Sequence, residues 1–212
     1  MQKIKIEIVS DVVCPWCYIG KRRIEKAIDQ LKDQFEFDVS YLPFELNAQV
    51  PKEGQDQKKY LANKFGSNAT EGLQFDFNKQ KVMPNTRDAH RIIWLAKQTG
   101  KQSEIKGALL KAYFEEGVDL SKPENLVAIA VKAGLNEQHV WSLLKSDEGL
   151  AEVITTEQQN QKRGVSGVPF YIINDQYGIS GAQPTDVFIQ ALTQIGSEVE
   201  SANACDVETK AC

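Results

Sequence analysis

The feature that most constrains this chain is a pair of cysteines, Cys14-Pro15-Trp16-Cys17, placed at the seam between two hydrophobic periods. Upstream, Ile4, Ile6 and Ile8 alternate with Lys3, Lys5 and Glu7, the period-2 pattern of a strand. Downstream, Ile24, Ala27, Ile28 and Leu31 recur at helical spacing and predict a helix from about Pro15 to Leu31. The pair therefore stands where a strand ends and a helix begins. A proline fits the first turn because its missing N–H would have no partner there. The free N–H groups and the helix dipole favour negative charge at this point, so Cys14 is the better placed to become a thiolate. By position Cys14 is the exposed attacking sulfur and Cys17, one turn into the helix, the resolving one. Trp16 reads either as an apolar lip beside them or as ordinary packing.

Cys-x-x-Cys is also the usual zinc spacing, but zinc needs two more ligands. The other cysteines, Cys205 and Cys212, lie far along the chain, and the histidines are His90 and His139, so no metal is expected. A structural disulfide is a weak alternative, because so short a loop removes little unfolded-state entropy. The net charge of −4, with no basic stripe, argues against nucleic acid and anionic membranes as partners. No apolar run is long enough to span a bilayer. The first residues already carry a strand pattern in place of a charged and then apolar leader, so the expected location is cytoplasmic, where a cysteine pair is more often catalytic than structural.

In chain order, Phe35 to Phe44 reads as a second strand, giving a right-handed β-α-β unit. Glu45 to Gln57 is a polar connector with Pro51 and Gly54. Helical patterns then run to Lys145: a short helix with Tyr60, Leu61 and Phe65 ending at Gly66, irregular residues 67–84, a helix capped by Asn85 or Thr86, one ending near Gly117, one opened by a capping box at Ser121 and Glu124, and one capped by Asn136. A helix from Leu150 to Arg163 leads to a hairpin of Phe170 to Ile173 and Tyr177 to Ser180, and Gln183-Pro184 opens a last helix to Ile195. The expected fold class is α/β: a discontinuous thioredoxin fold over residues 1–45 and 147–195 with a mixed sheet, and an inserted all-helical subdomain over 46–146. Residues 196–212 are small, polar and acidic and read as a flexible tail carrying Cys205 and Cys212.

The stretches SDVVCPWCYIGKRR, LPFELN, NTRDAHR, YFEEGVDLS and GVSGVPFYIINDQYGISGAQP resemble the DsbA-like thioredoxin superfamily, and within it the FrnE-type dithiol–disulfide isomerases or oxidoreductases. The resemblance places the redox dithiol on Cys14 and Cys17, and a cis-proline on Pro169 that leaves the Val168 backbone free to pair with a substrate strand. It implies a redox-active disulfide as the only cofactor, with protein thiols or disulfides as partners and glutathione as a candidate thiol partner. Asn85, Thr86 and His90 match a segment that faces the active-site groove in relatives; His90 reads equally as a satisfied helix-face histidine. Two similar branches, the 2-hydroxychromene-2-carboxylate isomerases and the kappa-class glutathione transferases, carry a serine where this chain has Cys14, which argues against their chemistry. Cys205 and Cys212 read as a second dithiol that exchanges with the first, or as bystanders. Protein disulfide exchange is therefore the leading function. A glutathione-dependent isomerase or transferase of small organic substrates and a non-catalytic redox sensor are the alternatives.

Overall fold

A computed structural model describes residues 1–56 and 71–208. The chain runs β1 (Gln2–Ser10), α1 (Pro15–Leu31), β2 (Phe35–Pro43), β3 (Gln55–Asp56) and β4 (Val82–Met83). There follow α2 (Arg87–Lys97), α3 (Gln102–Phe114), α4 (Pro123–Lys132), α5 (Glu137–Leu144), α6 (Leu150–Lys162), β5 (Phe170–Ile173), β6 (Tyr177–Ser180) and α7 (Thr185–Glu208). The main sheet has the order β2-β1-β5-β6. β1 and β2 are parallel, from Gln2 opposite Phe35 to Ser10 opposite Pro43, while β5 is antiparallel to both β1 and β6. This is the mixed sheet expected of a thioredoxin fold.

The alternation in β1 decides which face goes where. Ile4, Ile6 and Ile8 share the main core with Tyr171 and Ile173 of β5, with Ile24, Ala27 and Leu31 of α1 and with Phe188, Leu192 and Ile195 of α7. Val9 and Ile172, one residue out of phase, join Val165 in a smaller cluster flanked by Leu42, Phe44, Val168 and Phe170 on the other face. The turn between β5 and β6 uses Asn174 and Asp175 at φ 49° and 59°, a left-handed pair that these residue types tolerate and tight hairpins require. Asn174 Oδ1 also accepts the Lys5 N–H at 2.9 Å, tying the turn to β1. The helices from α2 to α5 pack onto the same core: Ile92, Ile93, Leu109, Leu110, Phe114, Leu126 and Leu143 belong to the same buried cluster as the sheet.

Several local expectations are corrected. The helix expected around Tyr60 to Phe65 lies outside the described residues. The ends of the connector and of the irregular stretch pair as β3 and β4, strands of two residues each and too short to leave a pattern in sequence. Ser121 does not cap α4: Lys122 is the N-cap, and the Ser121 hydroxyl instead donates to Asp119 Oδ1 at 2.6 Å. Asn136 does cap α5, accepting the His139 N–H at 3.1 Å. The last helix does not stop at Ile195. It continues through Gly196 to Glu208, because a side chain at Gly196 would overlap the Phe35 ring and the glycine there serves close packing, not termination. Glu198 Oε2 then accepts the Tyr177 hydroxyl at 2.6 Å, fastening this turn of α7 to β6.

Candidate active site

Cys14 is the N-cap of α1, in extended conformation (φ −97°, ψ 112°), and its sulfur accepts the Cys17 N–H at 3.3 Å. Its carbonyl takes the Cys17 and Tyr18 N–H groups at 3.0 and 3.3 Å, so the first turn closes directly on the nucleophile position. From the other side, the Cys14 thiol donates to the Val168 carbonyl at 3.6 Å, and the Val168–Pro169 peptide bond is cis. Gly20 permits this meeting of α1 with the start of β5: a Cβ there would overlap the Tyr171 hydroxyl and lie 3.2 Å from Pro169 Cγ.

Both cysteines are free thiols, and both are buried, Cys14 at 4% exposure and Cys17 at 3%. The expected contrast between an exposed Cys14 and a buried Cys17 is therefore absent in the dithiol state. The Val168 carbonyl seated on Cys14 Sγ and the buried Val12 and Val13 before it account for the difference. Trp16, by contrast, is 51% exposed and so is not part of the core, and the exposed Leu46 is tied to the residues before the pair by its N–H, which donates to Asp11.

The two sulfurs sit in different electrostatic surroundings. Burial pushes the Cys17 thiol well above its ordinary range, and the hydrogen bond and charge of Cys14 push it further. Behind the pair, Asp11 is fully buried; its Oδ1 accepts the Val12 N–H at 2.7 Å and its Oδ2 the Leu46 N–H at 2.8 Å. His90 Nε2 lies 3.2 Å from Asp11 Oδ1 and 3.1 Å from the Phe44 carbonyl. Both partners are acceptors, so Nε2 carries the proton. Burial works against the Asp11 charge, but the His90 hydrogen bond, followed by the Leu46 N–H and Lys106, holds the carboxyl below the usual range. The other side of His90 lines a cavity of about 480 Å³ bounded by β2, α2 and α6.

The predicted site residues thus divide. Cys14, Cys17 and Val168 meet at one point, with Trp16 between the two cysteines in the chain and Pro169 against the Gly20 position of α1. His90 stands one carboxylate behind it. Asn85 is a staple of the fold: its Oδ1 accepts the Arg87 N–H at 3.0 Å and its Nδ2 donates to the Val50 carbonyl at 2.8 Å. Thr86 is the N-cap of α2 by position, without a side-chain capping bond. Cys205 falls within the span of α7, and Cys212 lies outside the described residues. Sequence reasoning missed Asp11 and Lys106. Each leaves a signal: a lone acid among Val9, Val12 and Val13, and a lone lysine in the apolar stripe of Ile105, Leu109 and Tyr113.

Comparison with known proteins fits this geometry. The DSBA-like thioredoxin domain matches residues 5–193, and the chain belongs to that family. A probable DsbA oxidoreductase of Streptomyces coelicolor is 34% identical, with a TM-score of 0.80 over 90% of this chain and 89% of that one. The uncharacterized protein YwbO of Bacillus subtilis (strain 168) is 27% identical over 197 residues, 90% of this chain and 96% of its own. The cytosolic disulfide reductase DsbM of Pseudomonas aeruginosa, in a structure with GSH, shares the fold at 13% identity and a TM-score of 0.63, covering 90% of this chain and 98% of that one. No helix among the described residues is long and apolar enough to cross a membrane.

Proposed function

We propose that this chain is a cytoplasmic thiol–disulfide oxidoreductase or isomerase of the FrnE type, acting on protein disulfides through Cys14 and Cys17. The observation that carries the reading is the seating of Cys14 Sγ between the α1 N-terminus and the Val168 carbonyl, with Cys17 packed one turn behind it. The Cys14 thiolate attacks a substrate disulfide, one substrate sulfur leaves, and a mixed disulfide forms on Cys14. Cys17 then attacks Cys14 Sγ, releases the second substrate sulfur as a thiol and closes the Cys14–Cys17 disulfide. A substrate strand that displaces the Cys14 thiol from the Val168 carbonyl gains a backbone hydrogen bond as it arrives. Trp16 and Leu46 offer it apolar contact, which suits a polypeptide better than a small polar thiol.

The decisive experiment is reduction of insulin disulfides by dithiothreitol, with Cys14→Ser beside the wild type. The wild type is expected to accelerate precipitation of the reduced chains, and Cys14→Ser to fall to the uncatalysed rate. Full activity in Cys14→Ser would sink the proposal. Glutathione-dependent turnover of an organic substrate without insulin reduction would favour the isomerase and transferase branches instead.

A further inference from the structure

The residues that follow β2 are fastened one by one, and the fasteners lead back to the dithiol. The Phe44 carbonyl accepts from His90 Nε2 at 3.1 Å, the Glu45 carboxylate accepts from Arg87 Nε at 2.8 Å, and the Leu46 N–H donates to Asp11 Oδ2 at 2.8 Å. His90 and Arg87 both stand on α2, so that helix holds the segment leaving the sheet. The same His90 Nε2 also reaches Asp11 Oδ1 at 3.2 Å, and that oxygen takes the N–H of Val12, shortly before Cys14 in the chain, at 2.7 Å. On its other side Phe44 packs against the small cluster of Val9, Val165 and Ile172. Val168 packs against the same cluster, and its carbonyl receives the Cys14 thiol at 3.6 Å.

His90 closes this circuit. Its side chain is 2% exposed and that of Asp11 is fully buried. The Val12 N–H, the Leu46 N–H and the imidazole N–H all point donors at the Asp11 carboxylate, which suits an ionised, acceptor-only side chain. A buried carboxylate or carbonyl deprived of a donor is costly, so loss of this one imidazole N–H loosens both segments at once. Among the described residues no hydrogen bond joins His90 to either sulfur. The histidine therefore acts on the dithiol through the segments that it holds, and not as an acid or base.

We propose that His90 is a positioning residue for substrate choice, an inference that rests on the dithiol reading above. By holding Asp11 and the Phe44 carbonyl with one N–H, it fixes the Phe44–Leu46 segment as the wall on which a polypeptide disulfide lies while Cys14 attacks. Phe44 is partly exposed and Leu46 is 39% exposed, so the wall offers apolar side chains to a substrate. A polypeptide lays the neighbours of its cysteine along such a wall, and a wall already fixed spares the cost of ordering it on binding. A small symmetric disulfide needs little beyond the sulfur itself. His90 thus sets the preference for polypeptides over small disulfides without touching the reacting atoms.

The test compares two substrates that release the same coloured aryl thiolate when Cys14 of the reduced full-length protein attacks them. One is an unfolded polypeptide carrying the aryl thiol on its single cysteine; the other is the free symmetric aryl disulfide. In His90→Leu, which removes the donor, the ratio of kcat/KM for the polypeptide to that for the aryl disulfide is expected to fall at least about tenfold, with the loss in KM. That is the scale of one hydrogen bond to a charged group. His90→Gln, whose amide nitrogen keeps an N–H for each acceptor, is expected to restore the ratio. An unchanged ratio in His90→Leu, a loss shared in proportion by both substrates, or no rescue by glutamine overturns the inference. If His90→Leu does not fold, Leu46→Ser at its exposed position decides: the same fall in the ratio supports the wall, and an unchanged ratio refutes it. A wild type that releases no thiolate from either substrate would instead refute the dithiol reading itself.

Discussion

Asp11 and Glu157 are carboxylates close enough to feel one another, and their surroundings push them in opposite directions. Asp11 is held ionised by His90 and backbone donors. Glu157 is pushed up to about 7, first by burial and then by the charge of Glu45, with Arg87 pulling the other way. Among the described residues its Oε1 and the Oε2 of Glu45 are buried without hydrogen-bond partners, while Glu45 Oε1 accepts from Arg87 Nε at 2.8 Å. The consequence for stability has a definite sign. Between the ordinary value of 4.5 and about 7 the unfolded chain releases the Glu157 proton while the folded chain keeps it, so stability falls as pH rises through that window. Above it no further loss comes from this residue. Glu157→Gln, neutral at every pH, is therefore expected to melt with the wild type near pH 4.5 and a few degrees above it at pH 8. Equal melting temperatures at pH 8, measured by circular dichroism, would show that the folded protein gives up the Glu157 proton as readily as the unfolded chain.

Helix α1 is the element on which the site depends, and its packing hangs on a residue with no side chain. Gly20 lies one turn past Cys17, against Tyr171, Pro169 and Ala182. Tyr171 is fully buried and stacked edge-on against Phe188, so its hydroxyl has little room to give way. Gly20→Ala is expected to destabilise the protein by about 1–3 kcal/mol through overpacking and to slow disulfide exchange by shifting Pro169 off the dithiol. An unchanged urea midpoint would mean that α1 slides freely on β5. Much of this element was legible beforehand: the strand-to-helix seam, the bounds of α1 and the β5–β6 hairpin follow from periodicity and turn residues alone. What escaped was whatever depended on a partner distant in sequence. Lys106 stands in an apolar stripe, but its burial shows only once α3 is seen packed into the fold. Gly196 reads as a helix stop until Phe35 is seen beside it. Ser121 has a capping-box sequence but finds Asp119 closer than the helix end.

Across the molecule, α7 sets how far the C-terminal cysteines stand from the dithiol. It starts near Gly20, where Arg23 donates to the Ala182 carbonyl at 2.6 Å, and passes Phe35 at Gly196. Phe35 pairs with Gln2 at the beginning of β1, whereas Cys14 follows the end of that strand. Gly196 is thus separated from the dithiol by about the length of β1, on the order of 30 Å for nine residues. While helical, α7 carries Cys205 roughly 13 Å further along the helix axis from Gly196. An exchange between the two cysteine pairs in one chain therefore requires the end of α7 to unwind. If it unwinds after Glu198, the last residue seen bonded to β6, an extended chain reaches about 24 Å to Cys205 and about 48 Å to Cys212. Only Cys212 spans the gap. We predict that, in dilute protein treated with diamide, Cys17→Ser/Cys205→Ser forms an intrachain Cys14–Cys212 disulfide, while Cys17→Ser/Cys212→Ser leaves Cys14 and Cys205 unlinked. Mass spectrometry after non-reducing digestion separates the two. A Cys14–Cys205 link formed as readily would mean that α7 opens upstream of Gly196, breaking the Phe35 contact. No link in either variant would remove the C-terminal pair from the chemistry of the dithiol.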